Sequence, residues 1–158
     1  MKEQTCCFTG HRIVPLAERD RVSESLEKVI VDCIGEGYIY FCTGGALGFD
    51  TMAALAVLKL KKQFSQIKLN LLIPCENQTL NWKAADIEKY EYIKSQADNV
   101  VMTSIEYTKG CMHKRNRHMV DNSSLCICYL KKTSGGTAYT VNFAQKHGLF
   151  VINIADIL

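Results

Sequence analysis

Short apolar runs alternate with amphipathic stretches along the whole of this sequence, and that rhythm limits the folds open to it. Residues 5–8, 38–42, 68–73, 100–103, 125–130 and 149–153 read as six strands. Between them, residues 17–35, 47–64, 82–96, 112–121 and 136–147 read as helices; in the first, Val22, Leu26, Val29, Ile30 and Cys33 keep helical spacing. The fifth run, Leu125-Cys126-Ile127-Cys128-Tyr129-Leu130, is apolar nearly throughout, which suits a strand covered on both faces of a parallel sheet. No linker, repeat or charge block interrupts the series. The pattern predicts one α/β domain over residues 1–158, a doubly wound parallel sheet with right-handed crossovers and helices on both faces.

Composition excludes several classes. With 158 residues, 47% of them hydrophobic and 22% charged, and with 2 prolines and 10 glycines, the chain has the make-up of a compact globule. Nineteen basic against sixteen acidic residues give +3, too little to imply nucleic acid or an anionic membrane. Residues 1–6 lack the pattern of a secretory signal, and the most apolar stretch, 38–60, is broken by Gly44, Gly45, Gly48 and Asp50. A cytoplasmic protein with no membrane partner is expected. None of the 8 cysteines forms a C-x-x-C pair, so they are expected to be small hydrophobes without a metal.

In open α/β sheets, ligands bind beyond the carboxyl ends of the strands. Three turns there carry glycine with hydroxyl or basic residues. They are Thr9-Gly10-His11-Arg12, the loop Thr43-Gly44-Gly45-Ala46-Leu47-Gly48-Phe49-Asp50, and Thr133-Ser134-Gly135-Gly136-Thr137. Paired glycines let a backbone approach an anion, and a following helix aims its free N–H groups at it. The candidate ligand-binding residues are therefore Gly10, His11, Arg12, Thr43, Gly44, Gly45, Gly48, Asp50, Ser134, Gly135, Gly136 and Thr137, with Arg115 from the basic segment 109–118. Neither a G-x-x-x-x-G-K-[ST] nor a G-x-G-x-x-G motif is present, which argues against a Walker nucleotidase and a standard dinucleotide dehydrogenase.

Each candidate also has a structural reading. Glycine in either loop can simply make a turn. Asp50 can cap N–H groups at the start of a helix. His11 and Arg12 can be plain loop residues. Arg115 shares a helix face with Met119, whereas Lys114, Arg117 and His118 point elsewhere. Trp82, near Gln78 and Asn81, can stack on a base, but an anchor pinning its loop to the sheet is the preferred reading.

The motifs Phe8-Thr9-Gly10-His11-Arg12, Thr43 to Asp50 and Ser134-Gly135-Gly136-Thr137-Ala138 together resemble the YpsA-like branch of the SLOG superfamily, over essentially the whole chain. That group includes the Lonely Guy phosphoribohydrolases and the DNA-processing protein A family. The resemblance implies a Rossmann-like, three-layer αβα fold, a pocket for a nucleotide or nucleotide derivative, and a homo-oligomer, with no required cofactor. It also matches Arg115 to an arginine that helps cleave an N-glycosidic bond, making Arg115 the candidate catalytic residue. The phosphoribohydrolases carry Pro-Gly-Gly-x-Gly-Thr-x-x-Glu; here Asn142 stands in the glutamate's place. An amide supplies neither a general acid or base nor a negative charge, and general acid–base help contributes about 10²–10⁴-fold.

Three functions follow as expectations. The first is a sensor or regulator that binds a nucleotide-type small molecule without efficient catalysis. The alternative is a phosphoribohydrolase-like enzyme acting on nucleoside 5′-monophosphates. The third is single-stranded DNA binding, which the small and local basic surplus disfavours.

Overall fold

A computed structural model describes all residues, Met1 to Leu158. Six strands form one parallel sheet: β1 (Thr5–Gly10), β2 (Tyr40–Thr43), β3 (Lys68–Ile73), β4 (Asn99–Met102), β5 (Leu125–Tyr129) and β6 (Phe150–Asn153). Five helices alternate with them: α1 (Arg19–Gly35), α2 (Phe49–Lys61), α3 (Ala84–Gln96), α4 (Cys111–Asp121) and α5 (Gly136–Lys146). The spatial order is β4-β3-β2-β1-β5-β6. The chain winds outward from β1 to β4, then returns to set β5 on the other side of β1. The Rossmann-like α/β architecture read from the sequence is the one present.

The reversal at β1 splits the helices. Helix α2 packs against both α1 and α3, and α4 packs against α5. Strand residues alternate between the two layers because successive side chains point to opposite faces. Cys6, Phe8, Phe41, Leu69, Leu71 and Ile127 join a large core with Val22, Leu26 and Ile30 of α1 and Ala53, Ala54 and Val57 of α2. Cys7, Cys42, Leu72, Cys126 and Cys128 join a smaller one with Met119 and Val120 of α4 and Val141 and Ala144 of α5. Each fully buried aliphatic side chain contributes about 1.5–3 kcal/mol. All eight cysteines are buried as free thiols. Every residue of β5 is buried, as its unbroken apolar run requires, whereas edge strand β4 is exposed along its length.

Several elements start later than the pattern predicts, for local reasons. Residues 16–18 form a 3-10 turn, so α1 begins at Arg19. Gly48, at φ +74°, breaks the backbone before α2, which starts at Phe49 and not at residue 47. Strand β2 begins at Tyr40, because the Tyr38 N–H still bonds the Cys33 carbonyl at the end of α1. No helix is long and apolar enough to cross a membrane.

Candidate functional site

The strand reversal places the ends of β1 and β5 side by side, since Gly10 pairs with Tyr129. Beyond them lies a cavity of about 290 Å³. Its floor is Thr9, Gly10 and the His11-Arg12 turn; one wall is Ala46 and Asp50; another is Met112, Arg115 and Asn116 of α4. The last is Lys132 with Ser134, Gly135, Gly136 and Thr137. The structure thus brings together Gly10, His11, Arg12, Asp50, Arg115 and the whole Ser134–Thr137 turn. Thr43, Gly44, Gly45 and Gly48 lie outside the lining.

The two glycine loops therefore differ, and hydrogen bonding shows why. In the first, the Gly45 carbonyl accepts from Gln78 Nε2 at 3.0 Å, the Ala46 N–H donates to Asp50 Oδ2 at 3.2 Å, and the Phe49 N–H donates to the His11 carbonyl at 3.1 Å. Thr43 is fully buried, its hydroxyl donating to the Asp50 carbonyl at 3.4 Å. At Gly48 a Cβ would strike the Arg12 carbonyl, so only glycine lets the two turns touch. This loop is occupied by the protein itself. In the second loop, Ser134, Gly135 and Gly136 are exposed, and the N-cap Gly135 offers α5 no side-chain cap. The first N–H groups of α5 face open space on the cavity side, with no acidic residue in the first turn.

Arg115 is 4% exposed. Its Nη1 donates to the carbonyls of Gly44 and, at 3.3 Å, Leu72; its Nε donates to Asn116 Oδ1 at 2.6 Å. Only Nη2, 3.8 Å from the Met112 thioether, keeps a weak partner. Burial pulls the Arg115 pKa down, with Asp50 opposing. Burial likewise pushes the Asp50 carboxyl up, with Arg115 and the Ala46 N–H opposing. The two are not ion-paired; each is held by backbone. With Arg12 and Lys132 the cavity holds three permanent cations against one carboxylate, an arrangement that favours an anion.

His11 is tied on three sides. Its N–H donates to the Tyr129 carbonyl at 3.4 Å, its carbonyl accepts from Phe49, and its Nε2 accepts the Lys131 N–H at 2.9 Å. That last bond needs a neutral ring protonated at Nδ1. Burial, then Lys132 and Lys131, lower its pKa accordingly. Trp82 is an anchor: it is half-buried against the larger core and meets Tyr90 edge to face at 5.5 Å, away from the cavity. Asn142 is exposed and outside the cavity, so Asp50 is the only carboxylate there. Lys132 and Asn116 escaped the sequence reading. Asn116 follows Arg115 on the helix, but Lys132 sits in a loop whose direction only the fold sets.

The profile of the YspA SLOG family matches residues 6–151. The chain belongs to that family. A UPF0398 protein of Bacillus cereus is 28% identical over 130 residues, covering 80% of this chain and 71% of that protein. DNA processing protein A from Streptococcus pneumoniae shares the fold at a TM-score of 0.67 and 19% identity, with 95% of this chain aligned; the chain spans half the length of that protein. The Helicobacter pylori protein of the same name aligns at 0.64 and 19% identity, over 99% of this chain and 72% of its own. The structure of that protein is described as showing a single-stranded DNA binding mode.

Proposed function

We propose that this protein binds a nucleotide-type ligand by its phosphate at the start of α5, as a sensor or regulator without efficient turnover. The observation that carries this is the contrast between the two glycine loops. Both helices start at a glycine without a side-chain cap, but α2 gives its first N–H to the His11 carbonyl and carries Asp50 in its first turn, whereas α5 has no acidic residue there and shares the cavity lining with Lys132 and Arg12. An uncapped helix start beside cations is a ready anion site. Membership of the SLOG family supports the nucleotide class.

The same geometry supports the reading of weak turnover. Arg115 binds carbonyls through Nη1 and has little freedom to follow a reacting sugar. Asn142 lies outside the cavity and, as an amide, transfers no proton. A phosphoribohydrolase-like reaction would fall to Asp50 alone. Nucleic acid is the second reading, supported by the Helicobacter relative and by a basic surface cleft holding Lys109, Lys114 and Arg117.

The test is thermal unfolding with nucleoside mono-, di- and triphosphates, ADP-ribose and NAD, alongside Gly136→Asp. A Cβ at residue 136 meets nothing within 4 Å, so this variant folds while placing a carboxylate at the helix start. A ligand at 100 times its Kd adds about 2.7 kcal/mol to the wild type. Stabilisation by one of these ligands, lost in Gly136→Asp and without release of free base, is the expected result. No stabilisation by any of them overturns the reading. Tight, salt-sensitive binding of an oligonucleotide with no response to mononucleotides transfers it to nucleic acid.

A further inference from the structure

A cleft of about 400 Å³ opens beside the anion cavity, and the two share His11, Arg12 and Lys132. Its other walls are Ile13, Pro15, Tyr129 and Lys131. Ile13 is 79% exposed, an apolar side chain at the cleft wall with little packed against it. Tyr129 is fully buried and stacks on Phe49 at 5.9 Å and 16°, which holds the base of the cleft rigid beneath Lys131. The Lys131 ammonium lies 5.6 Å from that ring and pairs with Glu18, which also accepts from the Tyr129 hydroxyl at 3.3 Å. Its charge is thus neutralised within the protein. The cations left to the cleft are Arg12 and Lys132, both on the border with the anion cavity.

A space that is apolar inside and cationic only along its shared edge fits a flat, uncharged group joined to an anion. We infer that this cleft holds the ring of the ligand whose phosphate sits at α5, the base of a nucleoside 5′-phosphate. The assignment rests on the phosphate reading above. Arg12, exposed on the border, can lie against the ring face. His11 keeps its Nδ1–H as a donor on the shared wall. The spacing of the two halves is fixed, because the 11–12 turn is held by Phe49, by Tyr129 and by the close approach of Gly48.

The test is calorimetric titration of the full chain with ribose 5-phosphate and the four common nucleoside 5′-monophosphates. Wild type, Ile13→Ser and Gly136→Asp are compared. Ile13 is exposed, so Ile13→Ser folds. In the wild type at least one nucleotide is expected to bind about tenfold or more tighter than the sugar phosphate, the scale of burying one apolar side chain. Ile13→Ser should bring that ratio towards one while leaving ribose 5-phosphate binding unchanged. A ratio that Ile13→Ser does not alter overturns the ring assignment. So does ribose 5-phosphate binding abolished by Gly136→Asp with no advantage for any nucleotide, an outcome that leaves the phosphate reading standing. If no sugar phosphate or nucleotide binds the wild type, both fall.

Discussion

The Arg115 guanidinium donates to the Gly44 carbonyl from the space that a side chain on residue 44 would fill. A buried arginine without a carboxylate partner is costly unless its N–H groups are met. Here Gly44, Leu72 and Asn116 meet them, and helix α4 is locked to the ends of β2 and β3.

Gly44→Ala is expected to destabilise the protein by about 1–3 kcal/mol in urea unfolding, as overpacking of a filled interior does. Because the added methyl strikes Arg115, the cost should shrink when Arg115→Ala is already present. Equal costs in both backgrounds would show that residue 44 and Arg115 act independently.

Asp50 carries a stability effect with a definite sign. Its native pKa is raised above the ordinary 3.8, first by burial. The stability contributed by the uncharged carboxyl is therefore complete below pH 3.8 and lost as pH rises through the raised native value. Above that range the group burdens the fold. Asp50→Asn keeps an acceptor for the Ala46 N–H, so it is expected to be more stable at pH 7. Destabilisation at pH 7 would mean that attraction to Arg115 outweighs burial.

His11 acts in the opposite direction. Its native pKa is lowered from 6.5, so its contribution is present above pH 6.5 and lost as pH falls through the lower native value. Protonation also costs Lys131 its acceptor. Wild-type stability should drop on acidification below pH 6.5, with a shallower drop in His11→Ala. Identical slopes for the two proteins would remove His11 from the account. Proton NMR of the imidazole should show a midpoint below 6.5.

The thiols provide a check on the core. Burial pushes Cys33 up to about 11 and Cys42 and Cys128 up to about 12, and all eight cysteines are buried. Thiolate is the reactive form. Ellman's reagent should therefore label the native protein slowly, and all eight cysteines promptly once it is unfolded. Prompt labelling of any native thiol would mean that its layer of the core opens.

What the sequence made legible, and what it did not, follows from the range of the interactions. The apolar run of β5 and the spacing of Val22, Leu26, Val29 and Ile30 are local patterns, and the elements they mark are present. The inward face of Arg115 was readable from its spacing to Met119, and both are buried. The two glycine loops look alike because each is a Gly-Gly turn between strand and helix. What separates them is Gln78 and His11, each some thirty residues or more from the group it binds. No local pattern carries such partners. Lys132 escaped notice for the same reason: a lysine after a strand has no direction until β1 and β5 lie side by side.

Residues 44 and 48 line neither the anion cavity nor the cleft beside it, yet a methyl on either would displace a residue that does, Arg115 in one case and Arg12 in the other. Random mutagenesis scored for lost binding should therefore recover positions that a bound molecule never reaches. At those positions even alanine is harmful, whereas exposed Ser134 should tolerate a range of small replacements. In a diverged relative, a side chain at either glycine would be an earlier sign of a dead site than a change at Ser134.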